Sequence, residues 1–473
     1  MELSNMHLLS LMVTLMSVVL LGLYSARKVK SADDFSLGGR SSSSIIVSGT
    51  ILGTIIGGAA TIGTAQLAYS VGLSAWWFTL GSSTGLVIMA IFYAGPLRNT
   101  GLETIPQFLV LHYGKAAGPI TSVVSSIGIF FSIVASMLSS IHLLSLVFGV
   151  TVGVAATITI AIVVAYVFFG GINGTGLSGI FKVGLLSITL LIAGVISFNT
   201  IGGMNGLQQS FPADPWFNLF GGGVWLNIGN VFSLIVGIIS TQTYIQAVFA
   251  ARDTRTAVVG SFVAALVTIP IGIPSVMIGM YMRANYPDIL AINALPLYMI
   301  QNMPPWLGGA GITALLLSSV GSVAGLALGV GTMISSDIIK GLLGFSGSKK
   351  LLWANRACVL MITLFAALFA FDNMQSQVLK WNFLSMALRG VGIFVPLTIG
   401  IFYPGKLKPT AAISSMIAGI VGSLLWPVFF PESINPLFTG IAFSLATAII
   451  GIAISETNVY RFVQKLYTFV SHS

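Results

Sequence analysis

Residues 53–63 read Gly-Thr-Ile-Ile-Gly-Gly-Ala-Ala-Thr-Ile-Gly and lie in the middle of a long apolar segment. Four glycines and two threonines in eleven residues predict an interrupted helix, because each glycine lowers helix stability by about 1 kcal/mol relative to alanine. Backbone groups left unpaired at membrane depth are tolerated only at a cavity or within protein. The stretch therefore predicts a site where free carbonyls and amides bind an ion or a solute. The alternative is close helix packing by small residues.

A second polar interruption occurs at residues 237–244, which read Gly-Ile-Ile-Ser-Thr-Gln-Thr-Tyr. It lies in the fifth apolar segment after the one that holds the first interruption. Breaks at matching positions of two halves of a membrane protein indicate an inverted-repeat transporter, with its binding site between the breaks.

The whole chain has the composition of a membrane protein, since 56% of its 473 residues are hydrophobic and only 7% are charged. Soluble domains carry roughly 25% charged residues, and charge in hydrocarbon is energetically costly. A membrane span needs about 20 apolar residues. We predict thirteen spans, with approximate limits 6–25, 43–68, 73–97, 119–149, 151–170, 176–200, 225–251, 256–281, 305–340, 351–372, 378–403, 409–429 and 436–455.

The basic residues predict the orientation of these spans. If the N-terminus is outside, sixteen of the twenty lysines and arginines lie on the inner side, as the positive-inside rule requires. The C-terminus is then also inside, and the formal charge of +9 needs no nucleic acid partner. The sixteen are Arg27, Lys28, Lys30, Arg40, Arg98, Lys115, Arg252, Arg255, Lys340, Lys349, Lys350, Arg356, Lys406, Lys408, Arg461 and Lys465.

The rarity of reactive side chains argues against an enzyme. Cys358 is the only cysteine, and the chain has four histidines and eleven acidic residues. A disulfide framework or a cysteine-ligated metal site is therefore excluded. We predict no catalytic residues, no cofactor, and no metal beyond a possible Na⁺.

Several motifs, in order along the chain, resemble those of the sodium:solute symporter family, which has the LeuT-type fold. The matching segments are Asp34–Arg40, 53–63, Thr104–Leu109, Gly170-Gly171 before the fifth core helix, Ala250–Asp253, and Ser335–Lys340 at the end of the eighth. The resemblance implies an all-α polytopic membrane protein of about 13 transmembrane helices, built as a five-plus-five inverted repeat with broken first and sixth core helices.

The resemblance also implies a division of the chain into four parts. Residues 1–42 would be a leading transmembrane helix and a cytoplasmic loop, and 43–200 would be the first repeat with core helices 1–5. Residues 201–405 would be the second repeat with core helices 6–10. Two peripheral helices and a cytoplasmic tail would occupy 406–473.

The family's sodium site is implied at Gly53 and Ile56, through their carbonyls, and at Ser318, Gly321 and Ser322. Gly321 stands where the family usually has a hydroxyl residue, and Gly179 stands where many members have an aspartate. A hard cation needs a nearly complete oxygen shell, so the site looks depleted.

One turn beyond Gly179 lies Lys182, whose ammonium group could replace the sodium ion and exchange a proton. This hypothesis favours H⁺ over Na⁺ as the coupling ion. Two alternatives remain: Lys182 snorkels to the inner face as a topology anchor, and the chain is a conventional sodium-coupled symporter.

Arg389 is the second intramembrane cation, in the tenth core helix, and arginine binds carboxylates in a bidentate manner. We therefore predict a small solute that bears a carboxylate; the alternative is that Arg389 pairs with backbone carbonyls or with Asp372. His142 is predicted either to bind solute or to be packed and hydrogen-bonded. The candidate solute-binding residues are Thr54, Gly57, Gly58, Gln66, Phe78, Thr79, Ser82, His142, Thr241, Gln242, Tyr244, Asn382 and Arg389.

Together these features predict a secondary active transporter that imports a small solute by alternating access in a prokaryotic cytoplasmic membrane. Its predicted partners are the solute and the lipid bilayer, without nucleic acid. The sequence makes no prediction about the oligomeric state. An alternative of another class is a membrane solute sensor that has kept the transporter fold.

Overall fold

A computed structural model describes residues 4–26, 37–345, 347–430 and 435–470. Within these ranges the regular structure is helical, apart from one isolated bridge between Ser42 and Ala251. Arg27, Lys28, Lys30 and the motif start 34–36 lie outside the described residues.

The first half of the chain forms α-helices with short 3₁₀ and π segments between them. Its α-helices are α1 (Asn5–Ala26), α2 (Ser44–Ile55), α3 (Thr64–Val71), α4 (Trp77–Ile88), α5 (Ala94–Asn99), α6 (Ile105–Tyr113), α7 (Ala117–Phe148) and α8 (Val152–Thr200). The segments that join or extend them include Gly38–Arg40, Ala59–Gly63, Gly72–Trp76 and Met89–Tyr93.

The rest of the chain is also mostly α-helical, with short 3₁₀ and π segments. Its α-helices are α9 (Gly203–Ser210), α10 (Ala213–Trp216), α11 (Val224–Ile239), α12 (Gln242–Ala250), α13 (Thr254–Asn285), α14 (Ala294–Gln301), α15 (Pro305–Met333), α16 (Ser348–Asp372), α17 (Val378–Phe402), α18 (Pro409–Phe429) and α19 (Pro436–Val470). A 3₁₀ turn spans Ala291–Asn293, and α15 continues as a π-helix over Ile334–Lys340.

Both predicted helix breaks are confirmed. The first core helix consists of α2 and, after a non-helical stretch at 56–58, Ala59–Gly63 and α3. The sixth core helix consists of α11 and α12, separated at Ser240 and Thr241. The third, eighth and tenth core helices are α7, α15 and α17.

The predicted number of thirteen spans is not confirmed. Among the described residues, ten helical stretches are long and apolar enough to cross a membrane, with two shorter apolar helices, Ser44–Ile55 and Val152–Tyr166. One reason is the break itself, because it divides the predicted span 43–68 into short pieces. The predicted spans 151–170 and 176–200 both lie in α8.

Small residues set how closely the core helices pack. A Cβ built on Gly179 of α8 would collide with the carbonyl oxygen of Gly49 in α2. The leading helix α1 approaches α15 in the same way, with the backbone of His7 against Gly309. Close approach of backbones through small residues is a general way for membrane helices to associate, and here it brings Lys182 of α8 against the first break.

Basic residues gather at one end of the bundle, which we call the basic face. Arg98 donates to the carbonyls of Ala251 and Arg252 there, at 2.6 and 3.2 Å. Lys115 and Lys340 lie at the same end and line one cavity. This face also holds Asp253, whose carboxylate accepts the Thr256 backbone N–H at 2.7 Å, and this bond lowers the pKa of Asp253.

Candidate functional site

The first break is joined to α15 by two hydroxyl–carbonyl hydrogen bonds. Ser318 Oγ donates to the carbonyl of Ile56 at 2.5 Å, and Ser322 Oγ donates to that of Thr54 at 2.6 Å. Ile56 has φ −85° and ψ 77°, which leaves its carbonyl outside the helical ladder. The carbonyls that α15 reaches are thus those of Thr54 and Ile56, whereas the resemblance implied Gly53 and Ile56.

Glycines make this contact possible. A Cβ on Gly57 would collide with Ser322 Oγ, and one on Gly58 would collide with Ser139 of α7. Gly53 lies against α8, because a Cβ on Gly179 would be 3.1 Å from the Gly53 Cα. An aspartate at position 179 does not fit this arrangement, since its Cβ would overlap the backbone of Gly49.

Lys182 lies beside this junction. Its side chain is 1% exposed, and Nζ donates to the carbonyl of Ser318 at 3.0 Å. A Cβ built on Gly321 would be only 2.6 Å from Nζ. The ammonium group therefore fills the space beside α15 where a hydroxyl residue at position 321 would project. The structure places Lys182, Gly179, Ser318, Gly321, Ser322 and Ile56 of the predicted ion site close together, along with Thr54, which was predicted to bind solute.

Arg389 lies at the second break and is completely buried. Its Nη1 donates to Thr241 Oγ1 at 2.7 Å, while Nη2 donates to Ser132 Oγ at 2.9 Å and to Ser385 Oγ at 2.6 Å. Nε donates to the Ser385 carbonyl at 3.1 Å. The guanidinium thus links α7, the Ser240–Thr241 break and α17 through hydroxyl groups.

Neither Lys182 nor Arg389 forms an ion pair with an acidic residue in the part of the chain that the structure describes. The predicted alternative of an Arg389–Asp372 pair is therefore not formed, although Arg389 does bind a carbonyl. Tyr244 lies close enough to Arg389 to interact with its charge. The net result is uncompensated positive charge at both breaks, which favours an anionic ligand or the loss of a proton.

The other candidates on the first, second and tenth core helices are buried in the same region. Gln66 accepts the Val378 N–H at 3.0 Å and ties α3 to the start of α17. Phe78 meets Phe383 edge to face at 5.8 Å between ring centroids. Ser82 Oγ and Asn382 Oδ1 are buried without a hydrogen-bond partner, so they are free to bind a solute. Thr79 instead donates to the Trp76 carbonyl at 3.3 Å.

Two of the predicted solute-binding side chains, His142 and Gln242, form hydrogen bonds with other parts of the protein. The His142 ring nitrogen Nε2 is 2.7 Å from the carbonyl of Met374, in the loop before α17, so this side chain is hydrogen-bonded to protein. The Gln242 side chain reaches the basic face, where it accepts the Ile105 N–H at 2.9 Å and donates to the Glu103 carbonyl at 3.2 Å.

Of the three hydroxyl residues that bind Arg389, sequence reasoning identified Thr241 and missed Ser132 and Ser385. Ser385 lies four residues before Arg389 on the same helix, a spacing that brings two side chains onto one face, and this signal could have revealed it. Ser132 is in another helix, and no local pattern connects it to Arg389. Trp381, with an unpartnered buried Nε1, was also missed.

Comparisons with known proteins identify the family to which the chain belongs. The family model for "Sodium:solute symporter family" matches residues 35–419. The high-affinity choline transporter 1 of Torpedo marmorata is 26% identical, over 86% of this chain and 74% of that protein. The sodium/proline symporter of Escherichia coli strain K12 is 24% identical, over 91% and 89% respectively.

A solved structure has the same fold. It shows the substrate-bound outward-open state of a Na⁺-coupled sialic acid symporter, with a TM-score of 0.82 and 16% sequence identity. The match covers 96% of this chain and 98% of that one.

Proposed function

Because the chain belongs to the sodium:solute symporter family, we propose that it imports a small carboxylate-bearing solute by alternating access, with Lys182 in place of a sodium ion and H⁺ as the coupling ion. The chain is an integral membrane transporter of a small-molecule solute and not an enzyme. The proposal concerns what it carries and which ion drives it.

One observation carries the ion proposal: the Lys182 ammonium binds the Ser318 carbonyl and lies against Gly321. Hydroxyl bonds from Ser318 and Ser322 join α15 to the first break. The Lys182 ammonium lies beside these oxygens, and its positive charge repels a second cation there. When the site opens to water, Lys182 can exchange a proton and stay in place. A bound sodium ion would have to dissociate from the site.

The charge at the second break supports an anionic solute. Arg389 is buried there without a carboxylate, and the N-terminal end of α12 begins at Gln242, next to its Thr241 partner. The positive end of a half-helix favours anions. Four of the five guanidinium N–H groups donate to protein atoms in the described bonds, so a carboxylate would bind the remaining Nη1–H or displace a hydroxyl group.

The transport cycle completes the proposal. Residues 43–200 and 201–405 act as the two inverted repeats. The first and sixth core helices, together with the second (α4) and the seventh (α13), rock against the others. The N-terminus lies outside and the basic face lies inside, because basic residues cluster at that face. The proposed membrane is a prokaryotic cytoplasmic membrane.

Sodium coupling is the second candidate, and a specific finding favours it. The matched family is the sodium:solute symporter family, and the structurally similar sialic acid symporter is Na⁺-coupled. Proteoliposomes distinguish the two. Acetate, pyruvate, lactate and proline are first screened for thermal stabilisation of the purified protein, since a ligand stabilises the state that it binds. Uptake of the stabilising compound, radiolabelled, is then driven by an inward pH gradient or by an inward sodium gradient.

We expect the pH gradient alone to drive accumulation and the sodium gradient to add nothing. In Lys182→Ala, uptake driven by the pH gradient should fall at least tenfold. Lys380→Ala, which removes an exposed lysine from α17, is the control and should behave like the wild type. Sodium-dependent uptake by the wild type, with full activity in Lys182→Ala, would refute the replacement of sodium. Binding without accumulation under either gradient would instead favour a sensor.

A further inference from the structure

A cavity of about 430 Å³ opens at the basic face, away from both breaks. It lies between the start of α7, the end of α6 and the π-helix that follows α15. Its lining includes Lys115, Asp337, Lys340 and Leu342.

The cavity lies at the depth where membrane spans end. One span begins at Ala117, two residues after Lys115, and another ends at Lys340 itself. Lysines at the ends of spans extend their ammonium groups to the headgroup region. A ligand in this cavity would therefore be level with lipid headgroups.

The charges in the cavity suit a single phosphate. Lys115 and Lys340 are exposed, and neither forms an ion pair in the described residues. Asp337 is only 9% exposed, and its carboxylate accepts Thr104 Oγ1 at 2.8 Å and Ser122 Oγ at 3.3 Å. Two exposed lysines face one buried carboxyl group in this cavity, so its lining favours an anionic group such as a phosphodiester.

The loop after Lys340 supplies Leu342 to the cavity lining and carries exposed apolar side chains. Leu342, Leu343 and Phe345 are 62%, 58% and 57% exposed. Exposed apolar residues beside lysines are typical of a surface that binds anionic membranes. A soluble phosphate ion would gain nothing from these side chains, whereas the acyl chains of a lipid would cover them.

From this we infer that the cavity binds the headgroup of an anionic phospholipid, with the phosphate between Lys115 and Lys340 and the lipid tails against Leu342 and its neighbours. The site is connected to the transport machinery by Asp337. This residue holds Thr104, and the neighbouring residues Glu103 and Ile105 are held by Gln242 of the sixth core helix. A bound lipid would thus stabilise the contact of α15 with the segment that joins α5 to α6.

The experiment measures lipid binding without transport, so its result does not depend on the coupling ion or the solute. Phosphatidylglycerol, phosphatidylcholine and inorganic phosphate are each titrated into the detergent-purified full chain, with thermal unfolding and native mass spectrometry as readouts. The site variant is Lys115→Gln with Lys340→Gln. The matched control, Lys406→Gln with Lys408→Gln, removes two exposed lysines outside the cavity.

We expect phosphatidylglycerol to stabilise the wild type and the control, and the site variant to bind it about 30-fold more weakly, since each lysine near a membrane surface contributes about fivefold. Phosphatidylcholine and inorganic phosphate should stabilise none of them. Equal phosphatidylglycerol binding by the site variant and the control would overturn the site. Equal stabilisation by inorganic phosphate would overturn the lipid. If the double variant does not fold, Lys340→Gln alone should still show the fivefold loss.

Discussion

The two helix breaks place a buried cation in different surroundings. Lys182, at the first break, makes one described hydrogen bond, to a carbonyl. Arg389, at the second, is fixed by three hydroxyl groups and a carbonyl on three helices. Lysine can lose its proton, while arginine stays charged under all ordinary conditions. The difference indicates a titratable, movable charge at the first break and a permanent, immobile charge at the second.

The largest expected effect comes from removing the permanent charge. Arg389→Met should reduce uptake at least 100-fold, because it removes the positive charge at the second break and leaves the hydroxyl oxygens of Thr241 and Ser132 without the Arg389 donor. Buried polar groups that lose a partner cost about 1–3 kcal/mol each. Uptake in proteoliposomes is the measurement.

Lys380→Met, an exposed site on the same helix, is the control and should retain wild-type uptake. If Arg389→Met transported at the wild-type rate while remaining folded, the second break would not need its charge, and the contrast between the breaks would fail.

An intermediate effect is expected from a substitution that tests how closely the Lys182 ammonium group packs against Gly321. Gly321→Ser should destabilise the protein by about 1–3 kcal/mol, because overpacking a filled site strains it and the new Cβ would lie 2.6 Å from the Lys182 Nζ. In a Lys182→Ala background the same serine should be tolerated. Thermal unfolding of the four proteins in a double-mutant cycle measures the coupling.

Gly184→Ser is a suitable control for that cycle, since a Cβ at Gly184 meets no atom within 4 Å. The coupling should exceed about 1 kcal/mol for position 321, as expected for residues in contact. Additive effects would show that the ammonium group does not occupy this space, and they would separate Lys182 from the ion site.

The smallest effect is expected at His142, which lies outside both breaks. His142→Ala should lower stability by about 1 kcal/mol through the loss of the Met374 hydrogen bond. It should leave uptake within twofold of the wild type. A tenfold loss of uptake at unchanged stability would instead return His142 to the solute site, which would then extend beyond the breaks.

Much of the fold could be predicted because breaks and spans have local causes. Glycine and hydroxyl residues within apolar segments marked both breaks to within a few residues. The first core helix, α15 and Lys182 were predicted to meet, and they do. The count of thirteen spans was not confirmed, and the first break divides the span predicted at 43–68 into separate helical pieces.

The contacts of individual side chains were harder to predict. Gln242 and Tyr244 are two residues apart on α12, yet Gln242 binds at the basic face while Tyr244 lies near Arg389. Which way a side chain faces depends on how the helix is rotated against its neighbours, and sequence spacing alone does not fix that rotation. The roles of the site residues stay predictions.

The attachment of Lys182 to α8 has an electrical consequence under the proposed function. In the proposed cycle Lys182 stays on the chain, and only the proton that it carries crosses the membrane with the solute. If one proton accompanies one carboxylate, their charges cancel and each cycle moves no net charge. Membrane voltage, which acts on each transferred charge with about 2.3 kcal/mol per 100 mV, would then neither drive nor oppose uptake, and the pH difference would be the sole driving force.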